Sequence, residues 1–163
     1  MPLSLVRVDD RLIHGQVIAV WTRQLNPKII VVADDDTAND DFLAEIIELA
    51  APPGVDVEVH DLQAAAPRMV ELAESPAKAF VLVKSPVAAL RLRELGAPIE
   101  VLNIGGIGAA PDRRPLYKNI SASEPEIAAM AQLERIGTRV QFQIVSDDTP
   151  VPFASVAPST KEL

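Results

Sequence analysis

His14 lies in the stretch "VDDRLIHGQVIAVW" and is one of only two histidines in the 163-residue chain. Its neighbours are the groups that phosphoryl chemistry needs. Arg11 offers a planar guanidinium fork suited to phosphate oxygens. Gly15 lets an oxyanion approach the backbone, and the N–H groups of Gly15 and Gln16 open a helix whose first donors have no internal partner. Asp9 or Asp10 can accept a proton from one imidazole nitrogen and leave the other nucleophilic. A nucleophile, an orienting group and an anion cradle thus fall within a few residues, and the fitting chemistry is transfer of a phosphoryl group to and from histidine. The competing reading is a buried structural histidine bonded to a carbonyl, with Arg11 and an aspartate as a loop salt bridge.

Other groups expected at the same edge of the fold are weaker signals. Asp34, Asp35 and Asp36 follow a strand, where acidic clusters can hold Mg²⁺ beside a phosphoacceptor aspartate; the plainer reading is helix capping. Lys84 and Ser85 end another strand, and Ser85 suits an N-cap whose free N–H groups can also serve phosphate or the donor's loop. Asn103, Gly105 and Gly106 follow a further strand, as a tight turn or as room for an incoming loop. "GGIG" lacks the spacing of a dinucleotide fingerprint, and no P-loop motif occurs. Arg113 and Arg114 make a basic patch in a loop, read as a solvated turn or as positive charge that offsets repulsion from a phosphorylated donor. His60 has no arginine or glycine beside it.

The elements that must position these groups alternate strand with helix. "PLSLVRV" is strand-like, and Val17, Trp21 and Leu25 then recur at helical spacing. "KIIVVA" (28–33), "AFVLV" (79–83) and "IEVLNI" (99–104) are continuous apolar runs, as in strands covered on both faces. "VDVEVH" (55–60) is a further strand. Residues 40–50 predict a helix with Phe42, Leu43, Ile46, Ile47 and Ala50 on its apolar side. Residues 85–96 predict one capped by Ser85 with Pro86 at its first position. Residues 123–137 open with a capping box, Ser123 to Glu126. In a helix over 62–74, Pro67 has to occupy the first turn or kink it. "RVQFQIV" (139–145) alternates with period two, which places it at a sheet edge, in either orientation. The expected fold is therefore α/β: a doubly wound, mostly parallel sheet of six or seven strands with helices on both faces and the last strand at an edge. Ligands bind such sheets beyond the carboxyl ends of the strands, so residues 9–15, 34–39, 84–86 and 103–108 should share the functional edge. One domain over 1–150 and a short tail over 151–163 account for the chain.

Composition narrows the classes. Hydrophobic residues make up 48% of the chain, and no apolar run approaches the length needed to span a bilayer. A formal charge of -8 argues against nucleic acid or anionic lipid as partner. Four Phe, one Tyr and one Trp are too few for a base-stacking surface, and the lack of cysteine excludes disulfides and thiolate chemistry. A cytoplasmic protein is expected, with no cofactor and no metal required.

"RVDDRLIHGQVIAVW" closely resembles the N-terminal signature of the IIB component of the mannose/fructose/sorbose class of bacterial sugar phosphotransferase systems. The resemblance continues through "IIVVADDDTANDDF", "AAPPGV", "VLVKSP", "LRELGAPIEVLNIGGI" and "KNISAS", from Leu3 to Val145; "IGAAPDRRPLY" and "SDDTPVPFASV" depart from the pattern. It implies a phosphotransferase that accepts a phosphoryl group from the phosphohistidine of a IIA partner and passes it to a sugar held by the membrane components IIC and IID, at whose inner-membrane face it would be peripheral. The phosphorylated residue maps onto His14, with phosphorylation at Nδ1, and homodimers occur in the family. A sensor using the same histidine to report phosphorylation state, or a receiver-like acceptor at Asp34–Asp36, are the alternatives.

Overall fold

The computed structural model describes residues 3–156, and the side chains of residues 16–18 lie outside that description. A seven-stranded sheet has the spatial order β3-β2-β4-β1-β5-β8-β9. Its strands are β1 (Leu5–Asp9), β2 (Ile29–Ala33), β3 (Asp56–His60), β4 (Ala79–Val83), β5 (Val101–Gly106), β8 (Arg139–Phe142) and β9 (Val151–Pro152). All neighbours run parallel except β8 and β9. The continuous apolar runs behave as expected of strands buried on both faces. Along β4, Ala79, Val81 and Val83 join one core cluster while Phe80 and Leu82 join the other.

The helices divide between those faces. Trp21 of α1 (Gly15–Leu25) and Ile47 of α3 (Asp41–Leu49) pack on one. Met69 and Leu72 of α4 (Leu62–Glu74), Leu92 of α5 (Pro86–Glu94) and Ile127 and Met130 of α6 (Glu124–Arg135) pack on the other. β1 sends its chain through α1 toward β2, whereas its neighbour β4 sends its chain through α5 to β5, on the opposite side of β1. The carboxyl ends of β1 and β4 therefore flank the topological switch point. The segments expected at one edge all follow parallel strands and emerge there.

Several elements differ from expectation. The strand expected at the edge is one place inward: β8 is parallel to β5, and the last strand, the two-residue β9, takes the edge. The polar alternation there has another cause, because Gln143 serves buried polar partners described below. On α3 only Ile47 is buried; Phe42, Leu43, Ile46 and Leu49 are exposed. α3 lies over the β2–β3 margin, where the sheet ends and offers too little surface to cover a whole apolar face. The acidic loop after β2 contains a short helix, α2 (Asp35–Ala38). Pro67 sits in the second turn of α4, and the helix continues to Glu74. A hairpin of β6 (Arg114–Tyr117) and β7 (Ile120–Ala122) occupies the loop that was expected to carry a basic patch. At the C-terminal end, Val151 and Pro152 pair with β8, and Phe153, which opens α7 (Phe153–Val156), is buried in the core. The rest of the expected tail, 157–163, lies outside the described residues.

Candidate functional site

The site is built on a charge buried at the centre of the sheet. Arg7 and Asp9 stand two apart on β1, so they share a face, and both are 1% exposed. Arg7 donates to the backbone oxygens of Gln143 and Ile144, both at 2.8 Å, and more distantly to Asn103 Oδ1 at 3.4 Å. Asn103 Nδ2 in turn donates to Gln143 Oε1 at 2.9 Å. The Arg7 guanidinium lies over the Trp21 ring at 5.1 Å and within 3.6 Å of Asp9 Oδ2. Burial lowers its pKa to about 10, and Asp9 opposes that effect. Gly105 exists for this arrangement: a methyl group there would overlap the guanidinium itself. A methyl group on Gly106 would press on the Asp9 carboxylate at 3.1 Å.

Asp9 links this buried layer to the loop above it. Its Oδ1 accepts from the Arg11 backbone N–H at 3.1 Å and from Arg11 Nε at 3.4 Å. Oδ2 lies 3.9 Å from His14 Nε2. The loop turns through Leu12 at φ +56°, and the Asp9 carbonyl accepts from the Leu12 N–H at 3.0 Å. His14 is then the N-cap residue of α1, and its ring is 21% exposed. Nδ1 lies 2.9 Å from the Leu12 carbonyl. A carbonyl only accepts, so Nδ1 carries the proton in that bond. Neither Nε2 nor Asp9 Oδ2 has a hydrogen-bond partner, and both are buried.

The N-terminus of α1 is open. Helices α2 to α6 each have a side chain accepting from a first-turn N–H: Asp34, Asp40, Asp61, Ser85 and Ser123. His14 makes no such bond, and no acidic residue occupies the first turn of α1. Gly15 takes φ +43°, and nothing lies within 4 Å of where its Cβ would be. A helix end that its N-cap side chain leaves unbonded, the helix dipole and open space thus coincide. Arg11, three residues before His14, is 58% exposed and lies 3.4 Å from Asp9 Oδ1. The Gln16 backbone belongs to α1, but its side chain is among those not described.

Not every candidate joins this group. Asp10 turns away: its Oδ2 accepts from the Gly108 N–H at 2.8 Å and lies 3.7 Å from Arg113 Nη1. Asp10, Arg11, Gly105, Gly106, Gly108 and Asn119 help line an adjoining cleft of about 190 Å³. Lys84 is paired with Asp34 at 3.5 Å, and Ser85 Oγ caps α5 through the Ala88 N–H. Val83 stands in register with Val8, so Lys84 and Ser85 leave the sheet beside the His14 loop. The expected basic patch at Arg113 and Arg114 is not free positive charge. Arg113 grips Glu126 at 2.9 and 3.2 Å, and Arg114 lies 3.5 Å from Glu124. Burial works to raise the Glu126 pKa, but its bonds to Arg113 and Ser123 outweigh that and hold it below the usual range.

The three acidic residues after β2 do not converge. Asp34 caps α2 and accepts from Thr37 Oγ1 at 2.6 Å, while Asp35 accepts from the Leu62 N–H at 2.8 Å. Among the described residues no three His, Asp or Glu side chains gather as a metal site. His60 pairs with Glu58 at 2.9 Å. The Arg68 bond to Glu58 is the main cause of that carboxylate's depressed pKa.

Fold and site together define a doubly wound α/β domain with an imidazole, a guanidinium and an open helix end at its switch point, a geometry suited to phosphoryl transfer. Residues 3–162 match the family model described as PTS system sorbose subfamily IIB component. The sorbose-specific EIIB component of Klebsiella pneumoniae is 34% identical over 151 residues, 93% of this chain and 92% of that protein. The mannose-specific EIIAB component of Escherichia coli K12 is 32% identical over 91% of this chain, which spans 46% of that longer protein. The crystal structure of the IIBSor domain of the Klebsiella pneumoniae sorbose permease superposes with a TM-score of 0.87 at 33% identity, covering 95% of each chain. The chain belongs to the sorbose-subfamily IIB components of the sugar phosphotransferase system. It is a phosphotransferase that works in phosphoryl transfer during sugar uptake.

Proposed function

We propose that His14 is the residue that carries the phosphoryl group, taken from the phosphohistidine of a IIA partner and passed to a sugar held by IIC and IID at the cytoplasmic face of the membrane. The observation that carries this reading is the uncapped α1 N-terminus directly after His14, with open space at Gly15. In-line attack by the ring nitrogen breaks the donor P–N bond as the His14 P–N bond forms, and the donor imidazole keeps the electron pair. Arg11 and the first N–H groups of α1 neutralise the equatorial oxygens.

The ring arrangement adds a step. Phosphorylation at Nδ1 requires that nitrogen to leave the Leu12 carbonyl and its proton to reside on Nε2. Asp9 Oδ2, at 3.9 Å and without a hydrogen bond, is the acceptor within reach after a movement of about 1 Å. Asp9, not Asp10, is thus the orienting carboxylate. Asp10, Gly108 and Arg113 fix the neighbouring β5–β6 connection. Lys84 and Ser85 contribute position beside the donor's docking site. Family membership favours sugar uptake over a purely regulatory sensor, and capping and bonding by Asp34 and Asp35 disfavour the receiver alternative.

Intact-mass measurement after incubation with phosphorylated IIA tests the assignment. One phosphoryl group, a gain of about 80 Da, is expected on the wild type and none on His14→Ala. The same gain on that variant would reject His14. ¹⁵N NMR of the phosphorylated protein distinguishes Nδ1 from Nε2.

A further inference from the structure

An apolar stripe on α3 has no partner within the chain. Phe42, Ile46 and Leu49 recur at i, i+4 and i+7 on one side of the helix, with Leu43 beside them. Phe42 is 74% and Leu49 78% exposed. The border is wholly acidic: Asp40 and Asp41 at the start, then Glu45 and Glu48, with no Lys or Arg in α3 or in α2 before it. Exposed aromatic and aliphatic side chains in one stripe mark an interaction surface.

One occupant fails on physical grounds. A second copy would bring one acidic border against another, in a chain of net charge -8.

We infer that this stripe docks an apolar segment rimmed by Lys or Arg on the cytoplasmic face of the membrane component. The inference rests on the proposed function, which supplies such a partner. Cytoplasmic loops of membrane proteins are enriched in Lys and Arg, the charge that the α3 border lacks and attracts. The placement also fits. β2 ends at the edge that carries His14, and α3 begins just after that end, so Phe42 lies toward the edge where the phosphoryl group would be handed over. A membrane segment seated along the stripe would bring the transporter to that edge without covering the open end of α1.

The test uses inverted membrane vesicles containing IIC and IID, and the same vesicles without them, with the full chain added and co-sedimented. Wild type should bind only the former, more weakly as salt rises. Phe42→Ser/Leu49→Ser and Glu45→Lys/Glu48→Lys should each bind about tenfold more weakly or worse. Both should accept the phosphoryl group from phosphorylated IIA at the wild-type rate. These side chains are exposed, so both variants should keep the wild-type melting curve; should the first fail to fold, the second decides. Wild-type binding by both variants overturns the inference. So does a matching loss of acceptance from IIA, which would give the stripe to that partner, or a wild-type dimer that Phe42→Ser dissolves. If no form of the chain accepts a phosphoryl group, the functional reading falls, and vesicle binding still decides this surface.

Discussion

Gly105→Ala tests the buried charge most directly. The new methyl would overlap the guanidinium carbon and both terminal nitrogens of Arg7. The clash cannot be relieved cheaply. The overlapping atoms belong to a fully buried group, held by two 2.8 Å bonds to the Gln143 and Ile144 carbonyls and facing Asp9 at 3.6 Å. Hydrogen bonds to a charged group contribute about 1.5–3 kcal/mol each, and a buried pair broken on one side costs about 3–5 kcal/mol. These quantities overlap, so the expected destabilisation is about 3–5 kcal/mol. For a chain of this size that lowers the melting temperature by about 6–20 °C. Gly15→Ala is the matched control. It meets no atom within 4 Å but must hold φ +43°, which costs about 1–2 kcal/mol. Urea unfolding followed by circular dichroism measures both. A Gly105→Ala protein within about 0.5 kcal/mol of wild type, or no less stable than Gly15→Ala, would refute the reasoning.

Arg11→Lys should slow phosphoryl acceptance about tenfold or more, because a point charge replaces a planar fork; quench-flow with phosphorylated IIA measures it, and unchanged melting shows that the effect is local. Ser123→Ala removes the hydroxyl half of the α6 capping box and should cost about 1 kcal/mol, read as a fall of about 2–4 °C in melting temperature. Glu58 and Glu126 both have folded pKa values below the usual 4.5. Depressed carboxylates contribute stability that is present above the unfolded value and lost as pH falls through the folded ones. Urea titrations below pH 4.5 should show that loss, and the Glu58→Gln/Glu126→Gln variant should show a shallower one.

The strand–helix alternation was legible because each level agreed. Continuous apolar runs became doubly covered strands, and Ser85 and Ser123 capped the helices they announced. What escaped was the buried charge. Arg7 passed without a role inside the strand-like "PLSLVRV", although its i, i+2 relation to Asp9 puts two opposite charges on one face. Asn103 and Gly105 repeat that spacing on β5, with Asn103 in register with Arg7. Period-two polarity placed "RVQFQIV" at the sheet edge, when the Gln143 side chain in it bonds the buried Asn103. The α3 face misled for the opposite reason: helical periodicity shows which residues share a side, but not whether the sheet extends far enough to cover them. Asp9 and Asp10 are adjacent in sequence and equal in chemistry. Successive residues of a strand face opposite ways, so one lies near His14 and the other turns to Gly108; the spacing separates them but does not say which of the two faces the histidine.

The Arg7 bonds also set a schedule for the chain's maturation. The cation is laid down in the first strand, but its two carbonyl acceptors are 136 and 137 positions later. A ribosome releasing the N-terminal half leaves that ion hydrated, and the central strand cannot be sealed until Gln143 and Ile144 arrive. Local helices can form early; this long-range closure must come late, and contacts of such separation slow folding. A nascent chain stalled before residue 143 would therefore lack a finished floor beneath its histidine, however many of its helices had already formed.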